Sequence, residues 1–264
     1  MVITPAFAER FLFLPERLDS TSPPVVAGTP ARDIWLTAED GTRIHSWFFE
    51  VSGDAPIVIL FHGNAGHIGH RVPLVADFVS RQLSVLLVDY RGYGWSEGRP
   101  SEKGLYLDGA AAYGFAADQL GGARNVVLFG SSLGAAVATH VASRSEVGCL
   151  VLEAPFTSLD EIAAAVYPFL PSFLFRRLRG RLDTLTEISR VSSPLLVIHG
   201  TRDRIVPSRM GEKIYRAAPE PRTWFPVEGA GHNDVCYVGG DDYFDRIALF
   251  IQQALAQGSK PPAS

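Results

Sequence analysis

Cysteine is scarce: the 264 residues hold two, Cys149 and Cys236. Two thiols cannot build a disulfide framework, and neither has a second Cys or a His at zinc-finger spacing, so no stapled scaffold or zinc ribbon is expected. A reducing, cytoplasmic setting is the expectation. Positive charge is also short. Lys plus Arg number 24 against 28 for Asp plus Glu, a net charge of −4, which is the wrong sign for wrapping phosphate backbones. Nucleic acid is therefore not an expected partner. No run of about 18 uncharged apolar residues occurs, as a membrane-spanning helix would need. The most apolar N-terminal stretch, Met1 to Leu14, carries Glu9 and Arg10 in its middle and lacks a basic leader. It reads neither as a signal peptide nor as an integral anchor. Its Phe7, Phe11, Phe13 and Leu14 remain for packing on the domain or for a weak peripheral membrane contact.

What is present is ordinary globular material: 47% hydrophobic and 20% charged residues, enough for a core in one large α/β domain or two small ones. From about residue 57, short Val, Ile and Leu runs alternate with longer helical stretches, the pattern of βαβ units on a parallel sheet. Buried strands are expected at 57–61, 84–89, 125–129, 148–153, 194–199 and 222–227. Runs such as Val85-Leu86-Leu87-Val88 lack polar alternation, as in strands covered on both faces. Ahead of them, 33–38 and 43–51 flank the turn signal Glu39-Asp40-Gly41 and read as an antiparallel hairpin. Helices are expected at 70–82, 103–120, 133–144, 207–217 and 241–256. The segment 155–191 breaks this rhythm with Phe156, Tyr167, Phe169, Phe173 and Phe175 and a basic patch of Arg176, Arg177, Arg179 and Arg181. An insertion of that length is expected to be a cap over a site. The organisation reads as an extension over 1–29, a single domain over 30–257 and a flexible tail over 258–264.

Gly130-Ser131-Ser132-Leu133-Gly134 matches GxSxG. Alone this is a weak pattern, and an ordinary Gly/Ser turn would also satisfy it. Its setting is more specific, because it follows an apolar strand and opens the Ala-rich helix of a nucleophile elbow. A serine hydroxyl needs a base to take its proton and a carboxylate to orient that base. After Ser132 the histidines are His140, within the helix leaving the elbow, His199, closing a buried strand, and His232, in the loop Gly229-Ala230-Gly231-His232 after the last strand. His232 is the candidate base. Asp203 lies in the loop after the 194–199 strand, at the sheet end where sites assemble, and is the candidate acid; Glu153 is its rival. The oxyanion donors are expected from the backbone N–H of Leu133 and from the loop His62-Gly63-Asn64-Ala65-Gly66, with Asn64 favoured over Ala65. A tight strand-to-helix turn is the plainer reading of that loop.

The elbow, the HGNAG loop at 62–66, the DYRGYGWSEG stretch at 89–98, HGTRD at 199–203 and GAGH at 229–232 together resemble the α/β hydrolase fold family. More narrowly they are similar to its bud emergence protein and serine aminopeptidase-like branches, which include depalmitoylating thioesterases. The resemblance spans about residues 30 to 255. It implies an α/β hydrolase fold: a mostly parallel eight-stranded sheet, an antiparallel N-terminal hairpin, helices on both faces and a short helical cap. It also implies a Ser132, Asp203, His232 triad, no cofactor and no metal. Eukaryotic members of the branch often carry an N-terminal anchor or a cysteine cluster, and neither is expected here.

The expected activity is hydrolysis of a small-molecule carboxylic ester or thioester with an apolar acyl group, through an acyl-enzyme. An amidase or aminopeptidase using the same triad, or a non-catalytic binding module, are the alternatives. Tyr90, Phe156, Tyr167, Phe169 and Phe173 are candidate substrate contacts, although packing explains the aromatics equally well. The nearby arginines read as a solvated face or as partners for an acidic leaving group.

Overall fold

The computed structural model describes residues 13–19, 22–167, 169, 175 and 178–258. Its centre is a nine-stranded sheet of β2 (Val25–Val26), β3 (Thr29–Thr37), β4 (Arg43–Phe49), β5 (Ile57–Phe61), β7 (Ser84–Val88), β8 (Val126–Ser131), β9 (Cys149–Glu153), β10 (Leu195–Gly200) and β11 (Arg222–Val227). Across the sheet the order is β11-β10-β9-β8-β5-β7-β4-β3-β2. From β7 to β11 every neighbouring pair is parallel, whereas β4 meets β7, and β3 meets β4, antiparallel. The eight longer strands answer to the expected sheet, and β2 adds a two-residue edge to β3. A separate two-residue pairing joins β1 (Leu14–Pro15) to β6 (Ala65–Gly66) in parallel.

Alternation along the buried strands explains why helices cover both faces. In β5, Ile57, Ile59 and Phe61 enter one core with α2 (Glu102–Gln119), α3 (Leu133–Ala142) and α6 (Ser208–Ala217). Val58 and Leu60 enter the other with α1 (Val72–Ser80) and α7 (Val235–Gly258). Successive side chains of a strand point to opposite faces, so an all-apolar run needs two layers of cover. The helix expected at 241–256 is the second part of α7. Gly240, at φ 55° and ψ −143°, kinks it away from a first turn that starts at Val235, directly after the histidine loop. Among its described residues the 155–191 segment carries the short α-helices α4 (Leu159–Val166) and α5 (Thr184–Ile188). The expected tail from 259 onward, with Phe7, Phe11 and Phe173, lies outside the described residues. Phe13 is buried in the first core, while Leu14 is 56% exposed. Among the described residues no helix is long and apolar enough to cross a membrane.

The DYRGYGWSEG loop is ordered from within. The Arg91 guanidinium and amide donate to the fully buried Asp108 carboxylate at 2.8 Å each, and a second edge of the guanidinium reaches Asp40 at 2.6 Å. Gly104 leaves room for that fork: a Cβ there would stand 2.6 Å from the Arg91 Nε. Removing one member of a buried pair strands the other charge, so Arg91→Met is expected to cost about 3 to 5 kcal/mol of stability. Denaturant unfolding tests this, and a loss below about 1 kcal/mol would mean that Asp108 finds another partner.

Candidate active site

The carboxyl ends of β5, β8, β10 and β11 converge on Ser132. Strand β8 runs two residues beyond its expected end, because Ser131 pairs with Glu153 of β9, and α3 begins at Leu133. Ser132, the residue between, has φ 52° and ψ −109°, a left-handed conformation that costs a non-glycine residue about 1 to 3 kcal/mol. The surroundings hold it there. Its amide donates to the Glu153 carbonyl at 2.9 Å. A Cβ at Gly130 would strike the backbone of Gly134, and one at Gly134 would strike the Phe61 and His62 carbonyls. The turn is that tight only because both positions lack side chains.

The histidine loop after β11 brings the His232 Nε2 to 3.2 Å from the Ser132 Oγ, across 100 residues of sequence. Its Nδ1 stands 2.7 Å from the Asp203 Oδ2. A carboxylate only accepts, so Nδ1 carries the proton and the Nε2 lone pair faces the serine hydroxyl. Asp203 is itself fixed: its Oδ1 accepts from the Ile205 and Val206 amides, both at 2.8 Å. Burial by itself would raise this carboxyl. Its contacts with His199 and His232 and the Val206 amide outweigh that and hold it well below the usual carboxylate range. His199 is a supporting neighbour. Its Nε2 is 2.8 Å from the Val206 carbonyl and 3.4 Å from the Asp203 Oδ2, so the nearer carbonyl takes its N–H. An imidazole oriented by a carboxylate and turned on a serine hydroxyl is an arrangement that activates the oxygen as a nucleophile.

Glu153, the rival acid, is committed elsewhere. It accepts from the Ser131 hydroxyl at 2.9 Å and from the Tyr243 hydroxyl at 2.6 Å. That brace under the elbow was not foreseen, because Tyr243 lies on α7, 90 residues away. The 62–66 loop passes beside the serine: a Cβ on Gly63 would stand 3.8 Å from the Ser132 Cβ. Two clamps shape it. The His62 Nδ1 donates to the Gly63 carbonyl at 2.7 Å, and the Tyr93 hydroxyl donates to the Asn64 carbonyl at 2.9 Å. Leu133 is the first residue of α3, so its amide has no helical acceptor.

The candidate substrate aromatics are scattered. Tyr90 is fully buried with its hydroxyl on the His62 carbonyl at 2.9 Å, and Phe156 is buried in the core, so neither offers a surface to a ligand in this conformation. Tyr167 and Phe169 are 48% and 77% exposed on the insertion. Arg181 is a clip rather than a free cation, its Nε on the Glu102 carboxylate at 2.9 Å, and Arg176 and Arg177 lie outside the described residues. A cavity of about 300 Å³ opens beside the imidazole, lined by Arg202, Arg204, Ile205, His232 and Asn233 among others. Neither cysteine is a thiolate near neutrality: burial pushes Cys149 up and, with the Glu153 charge, moves Cys236 to about 11.

A mostly parallel sheet with helices on both faces, and a strained serine at a strand-to-helix turn, define an α/β hydrolase. Comparison with known proteins agrees. The family model described as Serine aminopeptidase, S33 matches residues 54–182. The alpha/beta hydrolase domain-containing protein WAV2 of Arabidopsis thaliana is 32% identical over 279 residues, covering 94% of this chain and 88% of that protein. An uncharacterized protein of Mycobacterium tuberculosis is 41% identical over 231 residues, 86% of this chain and 81% of its own. Among solved structures, the Pyrococcus furiosus esterase Pf2001 superposes with a TM-score of 0.77 at 23% identity, covering 92% of this chain and 99% of that one, a likeness of fold. The chain belongs to the alpha/beta hydrolase family.

Proposed function

We propose that the protein is a serine hydrolase that cleaves carboxylic esters or thioesters through an acyl-enzyme. Ser132 attacks the carbonyl carbon while His232, oriented by Asp203, takes the hydroxyl proton. The tetrahedral oxyanion lies against the Leu133 and Asn64 amides. Its collapse breaks the bond to the leaving group, which receives the proton from His232. Water, deprotonated by the same imidazole, then releases the acid and restores the serine. No cofactor enters any of these steps. The observation that carries the reading is the pair of contacts at 3.2 and 2.7 Å that link the serine through the imidazole to a carboxylate with a depressed pKa.

A second reading, an amidase or aminopeptidase on the same residues, draws on the serine aminopeptidase model. Ester or thioester cleavage stands first because the Ser132, His232 and Asp203 contacts require only an acyl carbon of the substrate, whereas an aminopeptidase would also use a carboxylate for the substrate amine. Asp234, which lines the cavity beside His232 and has only its Oδ1 on the Gly231 amide at 2.6 Å, is the residue such a substrate would meet. A binding module without chemistry would have no need of the strain held at Ser132.

The test is a panel of p-nitrophenyl esters from acetyl to palmitoyl, acyl thioesters and aminoacyl anilides. Turnover of esters or thioesters at least about ten times faster than anilides is expected, and the reverse order would transfer the assignment to the amidase.

A further inference from the structure

Outside the proposed catalytic residues, donors from two distant segments meet on one side of the 62–66 loop. Glu16 directly follows β1, while His67 caps the short 3₁₀ turn Ile68–Arg71 and His70 lies within its second half. One ligating atom from each of the three side chains lies within 4.8 Å of the others. Strand pairing brings them together: Pro15 stands opposite Gly66, and the Glu16 amide donates to the Gly66 carbonyl at 3.3 Å. Gly66, at φ +86°, has no side chain to displace the His70 ring that covers it. The His67 and His70 rings stack with centroids 4.1 Å apart, which holds their nitrogens on the same side of the loop.

We propose that Glu16, His67 and His70 bind a first-row divalent transition-metal ion, Zn²⁺ foremost, that clasps β1 onto the loop carrying Asn64. Two imidazoles and one carboxylate are a donor set for Zn²⁺, Ni²⁺ or Cu²⁺ rather than for Mg²⁺ or Ca²⁺, which take oxygen. Ligands of a tetrahedral Zn²⁺ at about 2.1 Å lie roughly 3.4 Å apart. Glu16 and His70 are exposed and reach that spacing by side-chain rotation, whereas His67 is buried and supplies the fixed donor. The adjacent cations are turned aside, Arg17 onto the Gly94 and Ser96 carbonyls and Arg71 onto the Ala65 carbonyl. One competitor exists: the His67 Nδ1 accepts the Gly69 amide at 3.0 Å, a bond the neutral ring gives up whichever nitrogen ligates, because Nδ1 then holds either the ion or the proton.

The experiment takes the full chain, stripped of metal by chelation, through calorimetric titration with ZnCl₂ and, separately, MgCl₂, with thermal unfolding at each end point. One Zn²⁺ per chain with a raised Tm, and no response to Mg²⁺, is expected. Glu16→Gln and His70→Ala change exposed side chains outside the proposed catalytic residues, so both are expected to keep the metal-free Tm and the esterase rate while weakening Zn²⁺ binding at least about tenfold. Absence of Zn²⁺ binding, equal binding of Mg²⁺, or full Zn²⁺ affinity in both variants would overturn the site. The binding and Tm results do not depend on what Ser132 does.

Discussion

Ser132→Ala is expected to lower kcat/KM toward a p-nitrophenyl ester by about 10⁴-fold or more, with the unfolding midpoint little changed. Removing the nucleophile of such a triad leaves only the contribution of the oxyanion donors and of substrate binding. Alanine inherits the same left-handed backbone and the same bond from the residue 132 amide to the Glu153 carbonyl, so the elbow itself has no reason to relax. A fluorophosphonate probe adds a covalent readout: the wild type should be labelled and the variant should not. Labelling that survives in Ser132→Ala would move the nucleophile elsewhere and end the proposal.

Asp203→Asn is the second large effect, about 10⁴-fold in kcat, because an amide in place of the carboxylate favours the wrong imidazole tautomer and leaves the imidazolium unsupported. Glu153→Gln is the contrast. Its carboxylate braces Ser131 and Tyr243 rather than His232, so a much smaller loss of rate is expected, accompanied by lower stability. Equal losses from the two variants would show that the acid had been misassigned. The pH profile separates the roles further. Asp203 is held below the usual carboxylate range, so its protonation does not account for a fall in rate just on the acid side of neutrality. A depressed folded pKa also means that Asp203 contributes stability above the unfolded value of about 3.9, lost as pH falls toward the folded value. Asp203→Asn should therefore unfold with a shallower acid dependence than the wild type.

The elements were legible because their signals are local. The apolar run Val85 to Val88 is a strand covered on both faces, and β5 divides its side chains between two cores by simple alternation. Gly130 and Gly134 marked a turn with no space for side chains, and the crowding at both positions is backbone against backbone. Boundaries were less legible where partners set them. Strand β3 starts at Thr29, ahead of the expected 33, because Ala31 and Arg32 find Phe49 and Phe48 across the hairpin. The brace from Glu153 to Tyr243 and the His62 clamp on the Gly63 carbonyl had no local signature at all, since a lone Tyr on a helix and a His after a strand are compatible with many partners.

By itself, the order of residues determined the alternation of strands and helices, the tight turn at Ser132, and the candidates for base and acid in exposed loops. Which carboxylate faces His232 was decided only by the tertiary structure. The neighbour order β8-β9-β10-β11 lines up loops 29 and 100 residues apart in sequence and turns Glu153 under the elbow toward Tyr243. The physical reason is range: periodicity and turn chemistry act over a few residues, whereas a hydrogen bond of 2.7 Å between two loops depends on how the whole sheet stacks its strands.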